Sequence, residues 1–137
     1  MEQEVHYWDT SAVLSAFLQD VHTPLARDWL EQSAVNLVSS LTGSEFHACL
    51  ARLERDGHLT TPLAEATIKA FDHGPWRRID LSPDWRFYRD LAVRYRLRGA
   101  DLWHLAVVLS LRQDLPTIKL LTFDAAMQTA ATEEGLV

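Results

Sequence analysis

Short apolar runs alternate with longer helical patterns along the whole chain, and this alternation limits the fold more than any other feature. "VHYWD" (5–9), "VNLVSS" (35–40), "WRRIDL" (76–81) and "IKLLTF" (118–123) read as strands. Helical patterns fill the gaps: residues 11–19, Thr23-Pro24 to about Gln32, 42–57, Thr61-Pro62 to about Gly74, Pro83 to Arg96, and the most apolar stretch, 101–113. A last helical pattern, "DAAMQTAATEEG", follows the fourth strand. Pro24 suits a first helical turn, and Gly57 supplies a stop. Phe46, Cys49, Leu50 and Leu53 fall at i, i+3, i+4 and i+7, a stripe that assigns Cys49 to the core. Strands alternating with helices imply a parallel sheet covered on both faces. The expectation is a three-layer α/β/α fold around a central, mostly parallel sheet of four to five strands. "EEGLV" at the end leaves little room for the fifth. A length of 137 residues fits one compact domain, 1–137, and neither a Gly/Ser linker nor an internal repeat divides it.

Right-handed crossovers place all strand C-termini at one edge, and in open α/β sheets that edge is where ligands bind. Four acids fall there. Asp9 follows the first strand, Glu45 opens the helix after the second, Asp101 opens the apolar helix, and Asp124 follows the fourth strand. Each acid alone has an ordinary explanation. Asp9 and Asp124 are placed to cap helices, a role worth about 1 kcal/mol. Thr42-x-x-Glu45 has capping-box spacing, and Asp101 in a first turn favours the helix dipole. Together these explanations weaken, because Ser, Thr or Asn caps a helix without charge. Four converging anions repel one another, and a divalent cation removes that cost. An oxygen-only donor set selects Mg²⁺ or Mn²⁺ over zinc. Glu45 precedes Cys49 by four and Asp101 precedes Leu105 by four, so both acids border the buried stripes of their helices.

"DTSAVLSAF", the Glu45 that opens a helix, "RGADLWHLAVVLSL" and "LLTFDAAMQTAATEEGL" together resemble the PIN domain, and within it the VapC-type toxins of bacterial toxin–antitoxin pairs. The resemblance runs over nearly the whole chain and keeps the order of the blocks. It implies a Mg²⁺- or Mn²⁺-dependent ribonuclease whose metal site is formed by Asp9, Glu45 and Asp101. Asp124 corresponds to the more variable fourth acid. Ser11 matches the polar position that supports the first aspartate, and Thr122 matches the polar residue of the "TFD" block. The resemblance also implies a VapB-like antitoxin whose tail occupies the acidic groove, an RNA substrate, and a homodimer.

The charge distribution has two readings: a basic patch that guides a polyanion to one place, or a solvated, Arg-rich helix face. The net charge is −6, which argues against general nucleic-acid coating. Between Arg77 and Arg98, however, seven arginines face three aspartates, a local +4. Arg98, just before the Asp101 turn, is the best single candidate for a phosphate contact. His104, three residues after Asp101, is placed to assist proton transfer, hold a phosphate or support a neighbouring acid. Trp8, Trp103 and Phe123 adjoin the acids in sequence, with core packing their simplest role.

Other classes lose support. There is no G-x-x-x-x-G-K-[ST] loop, no G-x-G-x-x-G and no G-x-S-x-G elbow. A single cysteine excludes a disulfide framework and a cysteine zinc cluster. No basic apolar leader opens the chain, and no apolar run approaches the roughly 20 residues of a membrane span. A cytoplasmic protein without a membrane segment is expected. Two alternatives stay open: a non-catalytic PIN-like RNA-binding or assembly module, and a phosphatase or receiver-like domain in which Asp9 accepts a phosphoryl group.

Overall fold

The computed structural model describes residues 3–137. In chain order the elements are β1 (Glu4–Trp8), α1 (Thr10–Phe17), α2 (Thr23–Glu31), β2 (Ala34–Ser39), α3 (Ser40–Arg55), α4 (Thr61–Asp72), β3 (Trp76–Ile79), α5 (Trp85–Arg94), α6 (Gly99–Arg112), β4 (Ile118–Leu121) and α7 (Ala125–Glu133). The strands form a sheet in the order β3-β2-β1-β4, and every pairing is parallel. The expected α/β class and three layers are therefore present, with four strands. The place of a fifth strand is taken by a single ladder-like bond, from the Leu120 amide to the Leu136 carbonyl on the free side of β4 (2.8 Å).

Period-two alternation along β1 divides the core into two layers. Val5 and Tyr7 enter one cluster with Leu37, Ile118, Leu120 and the apolar face of α6. Trp8 enters the other with Val38, Leu121 and the inner faces of α1, α3 and α4. Buried Trp8 donates its indole N–H to Asn36 Oδ1 (2.9 Å), so its polar atom is satisfied inside the sheet. A strand buried on both faces must read as a continuous apolar run, as "VHYW" nearly does.

The strand and helix ends decide where the acids stand. β1 stops at Trp8 because Asp9 turns the chain into α1, and β4 stops at Leu121 three residues before Asp124 caps α7. The helix expected from Pro83 to Arg96 is shorter at both ends. Asp84 accepts the Arg86 amide and starts α5 at Trp85, while Tyr95 already has extended backbone.

Candidate active site

All four acids expected at the sheet edge line one pocket of about 470 Å³, together with Thr10, Ser11, Arg52, Arg98, His104 and others. Each acid arrives from a different element. Asp9 is the N-cap of α1 and is only 4% exposed. Its Oδ1 accepts the Ala12 amide (3.0 Å) and the Ser11 hydroxyl (2.7 Å). Ser11 Oγ in turn accepts the Phe123 amide (2.9 Å) and lies 3.3 Å from Thr122 Oγ1. Thr122 Oγ1 accepts the amide of Asp124, whose own Oδ1 caps α7 through Met127. Ser11 and Thr122 thus tie the end of β1 to the end of β4 and set Asp9 and Asp124 in a fixed relation.

Glu45 is held differently from its capping-box expectation. Ser39, not Thr42, caps α3, so Glu45 falls in the second turn and its side chain is free of backbone duty. Its Oε1 accepts the Thr10 hydroxyl (2.7 Å) and faces His104 Nε2 (2.8 Å). A carboxylate only accepts, so Nε2 carries a proton when Glu45 is ionised. On the far side of the ring, Nδ1 lies 2.6 Å from the Tyr7 hydroxyl, which donates to Ser39 Oγ (2.8 Å). Tyr7 and His104 are buried, so this chain runs from the core to the pocket wall. Oε2 of Glu45 has no protein hydrogen-bond donor among the described residues.

Asp101 sits in the first turn of α6, half-buried, with the guanidinium of Arg98 3.8 Å away. Arg98 is itself 87% exposed at the mouth of the pocket.

The electrostatics separate the acids. Burial pushes the Asp9 carboxyl up from the ordinary aspartate range, against hydrogen bonds from Thr122, Ala12 and Ser11. Asp101 is also raised, first by burial and then by the negative charge of Asp124. Glu45 moves the other way, because the bond from His104 outweighs its burial. The pocket therefore holds one carboxylate favoured by its hydrogen bonds and two disfavoured by burial.

Among the described residues, no three His, Cys, Asp or Glu side chains are gathered closely enough to form a finished coordination shell. The donor chemistry nevertheless suits a hard divalent cation. The acids offer oxygen only, Glu45 Oε2 is uncommitted, and burial holds the Asp9 and Asp101 carboxyls above the ordinary aspartate range, a cost that a bound cation would offset.

Several residues of this site carry no isolated sequence signal. Thr10 and Tyr7 flank the Asp9 turn, but only the tertiary contact with Glu45 and His104 gives them a role. Cys49, expected in the core, is half-exposed on the pocket wall beside Arg52. Trp8 is core, as its composition suggests, while Phe123 stacks between His22 and Trp29 at ring separations of 4.3 and 4.8 Å. No described helix is long and apolar enough to cross a membrane.

The profile of the PIN domain family matches residues 7–133. No curated protein sequence matches the chain. Among solved structures, VapC20 of Mycobacterium tuberculosis, described as a Sarcin-Ricin loop cleaving toxin, superposes with a TM-score of 0.64 at 20% identity, covering 96% of each chain. VapBC2 of Rickettsia felis, solved bound to a DNA fragment from their promoter, gives 0.60 at 13% identity over 88% of this chain and 99% of that one. PAE2754 of Pyrobaculum aerophilum gives 0.60 at 14% identity over 92% and 78%. At these identities the likeness establishes the fold.

Proposed function

Because the chain belongs to the PIN domain family, we propose that it is a Mg²⁺- or Mn²⁺-dependent endoribonuclease and the toxin of a VapBC-type pair. The observation that carries this reading is the convergence of Asp9, Glu45, Asp101 and Asp124, from four separate elements, on one pocket. Asp9, Glu45, Asp101 and Asp124 are the residues that would hold the ion. When bound, a divalent cation supplies an acidified water as nucleophile and balances charge on the phosphoryl oxygens.

The chain's own residues do the rest. Ser11 and Thr122 keep Asp9 and Asp124 from relaxing apart under mutual repulsion. His104 and Thr10 pin Oε1 of Glu45 and leave Oε2 toward the reaction space. Arg98, highly exposed and only loosely paired with Asp101, is positioned to take a backbone phosphate at the pocket mouth. No side chain need become covalently attached, so catalysis rests on placement and charge.

The same reading supplies partners. A VapB-like antitoxin would insert a basic side chain among the acids, because a guanidinium pairs with carboxylates through charge-assisted hydrogen bonds. Exposed Val21, Leu25 and Leu63, on and beside α2 and α4, offer apolar contacts for its tail. A homodimer and a cytoplasmic location complete the assignment. VapC20 is described as cleaving the Sarcin-Ricin loop, so structured RNA loops are the first substrates to assay here.

The test is incubation of antitoxin-free protein with total RNA in Mg²⁺, in Mn²⁺ and in chelator, beside Asp101→Asn. Discrete, metal-dependent cuts that disappear in the variant are expected. Equal cutting by the variant overturns the nuclease reading, and RNA binding without any cutting moves the protein to the class of binding modules.

A further inference from the structure

Four of the five tryptophans are buried or half-buried; Trp85, at the start of α5, is 54% exposed. One exposed aromatic is ordinary on a protein surface; what sets Trp85 apart is its neighbours. Tyr88 stands one turn on, with its ring centroid 5.1 Å from that of Trp85 and the planes tilted by 57°, so the two rings present separate faces. Arg89 occupies the i+4 position and is exposed. Arg89 forms no ion pair among the described residues, unlike Arg86 with Asp84 and Arg94 with Asp90. The patch lies within the segment 77–98 that carries a local +4 on an otherwise acidic chain.

The patch is also joined to the acidic pocket. The Tyr88 hydroxyl donates to the Gly99 carbonyl (3.3 Å), which anchors the ring beside the first turn of α6. Gly99 separates Arg98 from Ala100 and Asp101, all three of which line the pocket. Exposed Arg98 and half-buried Tyr88, which also packs against the core, therefore link the acids, over the start of α6, to Trp85 on α5.

We propose that Trp85, Tyr88 and Arg89 form a stacking platform for unpaired nucleotides of the RNA whose scissile bond lies at the acids. The inference rests on the nuclease reading for the identity of that RNA. Aromatic faces accept any base, and guanidinium groups track the phosphates, which is how single-stranded nucleic acid is held without strict sequence preference. A duplex offers no free base faces and fits the patch poorly. Trp85 and Tyr88 touch no reacting atom; they are binding residues, and their loss acts on KM rather than kcat.

The experiment uses the full chain in two arms. The first compares binding of a fluorescein-labelled single-stranded oligouridylate with the same oligonucleotide annealed to oligoadenylate, in chelator so that nothing is cut. Wild type should favour the single strand. Trp85→Ala should weaken binding about tenfold or more, Trp85→Phe should restore most of it, and Arg89→Ala should flatten the salt dependence by about one phosphate contact. The second arm measures cleavage of the RNA found with total RNA: Trp85→Ala should raise KM and leave kcat unchanged. If wild type cuts RNA and Trp85→Ala binds and cuts as wild type does, the platform is overturned and the nuclease reading stands. If wild type binds oligouridylate through Trp85 but cuts nothing, the platform stands and the nuclease reading falls. Conversion of a dimer to a monomer by Trp85→Ala with RNA binding unchanged would assign the patch to self-association and also overturn the proposal.

Discussion

His104 Nε2 lies 2.8 Å from Glu45 Oε1, and Nδ1 of the same ring lies 2.6 Å from the buried hydroxyl of Tyr7. One imidazole thus links a core tyrosine to an acid on the pocket wall, across 59 residues of sequence on one side and 97 on the other. Removing the ring takes one hydrogen-bond partner each from Tyr7 and Glu45 and leaves them only Ser39 and Thr10. His104→Ala should cost about 1–3 kcal/mol of folding stability and weaken Mn²⁺ binding about 10- to 100-fold, the usual effect of losing a group that orients a ligand. Thermal melts and Mn²⁺ titrations check the two effects separately. Tyr7→Phe keeps the ring packing and should lower metal affinity less than His104→Ala does. Equal, wild-type affinities in both variants would mean that Glu45 needs no such support.

The raised carboxyls of Asp9 and Asp101 predict an unusual dependence of metal-free stability on pH. A carboxyl whose folded pKa exceeds its unfolded value favours the folded state below the unfolded pKa and withdraws that support as pH rises through the folded one. Metal-free protein should therefore lose stability as pH climbs from about 4, the ordinary aspartate value, through the raised range of these two groups. Asp101→Asn should flatten this slope and be more stable than wild type at pH 7 without metal, by about 1 kcal/mol. Saturating Mg²⁺ should reverse the ranking, since ligand at about 100 times Kd adds about 2.7 kcal/mol to the wild type alone. The check is Tm against pH, with and without Mg²⁺.

An opposite pH signature should come from the far side of the molecule. Glu134, at the end of α7, accepts Arg94 and the Tyr95 hydroxyl, while its own carbonyl accepts Arg112. The Arg94 bond holds the Glu134 carboxyl below the ordinary glutamate range. A depressed acid contributes stability above its unfolded pKa and loses it as pH falls through the folded one. Glu134→Gln should cost about 1–2 kcal/mol at neutral pH, and the cost should fade as pH falls below the ordinary glutamate value of about 4.3 and vanish only once pH has passed the lowered Glu134 pKa. Urea melts at pH 7 and at low pH make the comparison. A constant difference across that range would show that packing, not charge, holds the clasp.

The particular elements explain which features were legible in the sequence. The sheet was readable because a strand buried on both faces is mostly apolar, with His6 and Asn36 the buried polar exceptions, so its length and its bounding turns survive as pattern. Helix ends with their own local chemistry were readable too. Gly57 adopts φ +77° after α3, and the His58 amide returns to the Leu53 carbonyl at 2.9 Å, a closure that needs only nearby residues. The start of α3 misled because Ser39 and Thr42 both resemble caps, and only the end of β2 selects Ser39. The acids were readable as a set, since Asp9 and Asp124 follow strand ends while Glu45 and Asp101 lie in the first two turns of helices. Their supports were not. Tyr7, Thr10 and Ser39 act through partners that are distant in sequence, and nothing local distinguishes them from ordinary strand, turn and cap residues. Cys49 followed the helical period into the core on paper, but the pocket opens at its level of α3 and leaves it half-exposed.

Two glycines test the packing on the other sheet face in opposite directions. A Cβ at Gly74 would stand 2.3 Å from Nε1 of Trp76 and 2.9 Å from its Cε2. That indole cannot retreat, because it donates to the Phe71 carbonyl at 2.9 Å and packs edge-on against Trp8 and Phe17. Gly74→Ala should therefore destabilise by about 1–3 kcal/mol, the range for forcing atoms into a packed core. Gly43 lies inside α3, and a Cβ there meets nothing within 4 Å. Gly43→Ala removes unfolded-chain freedom and improves helix propensity, so it should stabilise by about 0.5–1 kcal/mol. Because the two sites differ in their surroundings and not in the substitution, measuring both by urea denaturation isolates packing from backbone entropy. A stabilised Gly74→Ala would mean that Trp76 can shift without cost, and the aromatic cluster of Trp8, Phe17, Phe71 and Trp76 would then be looser than its edge-on contacts indicate.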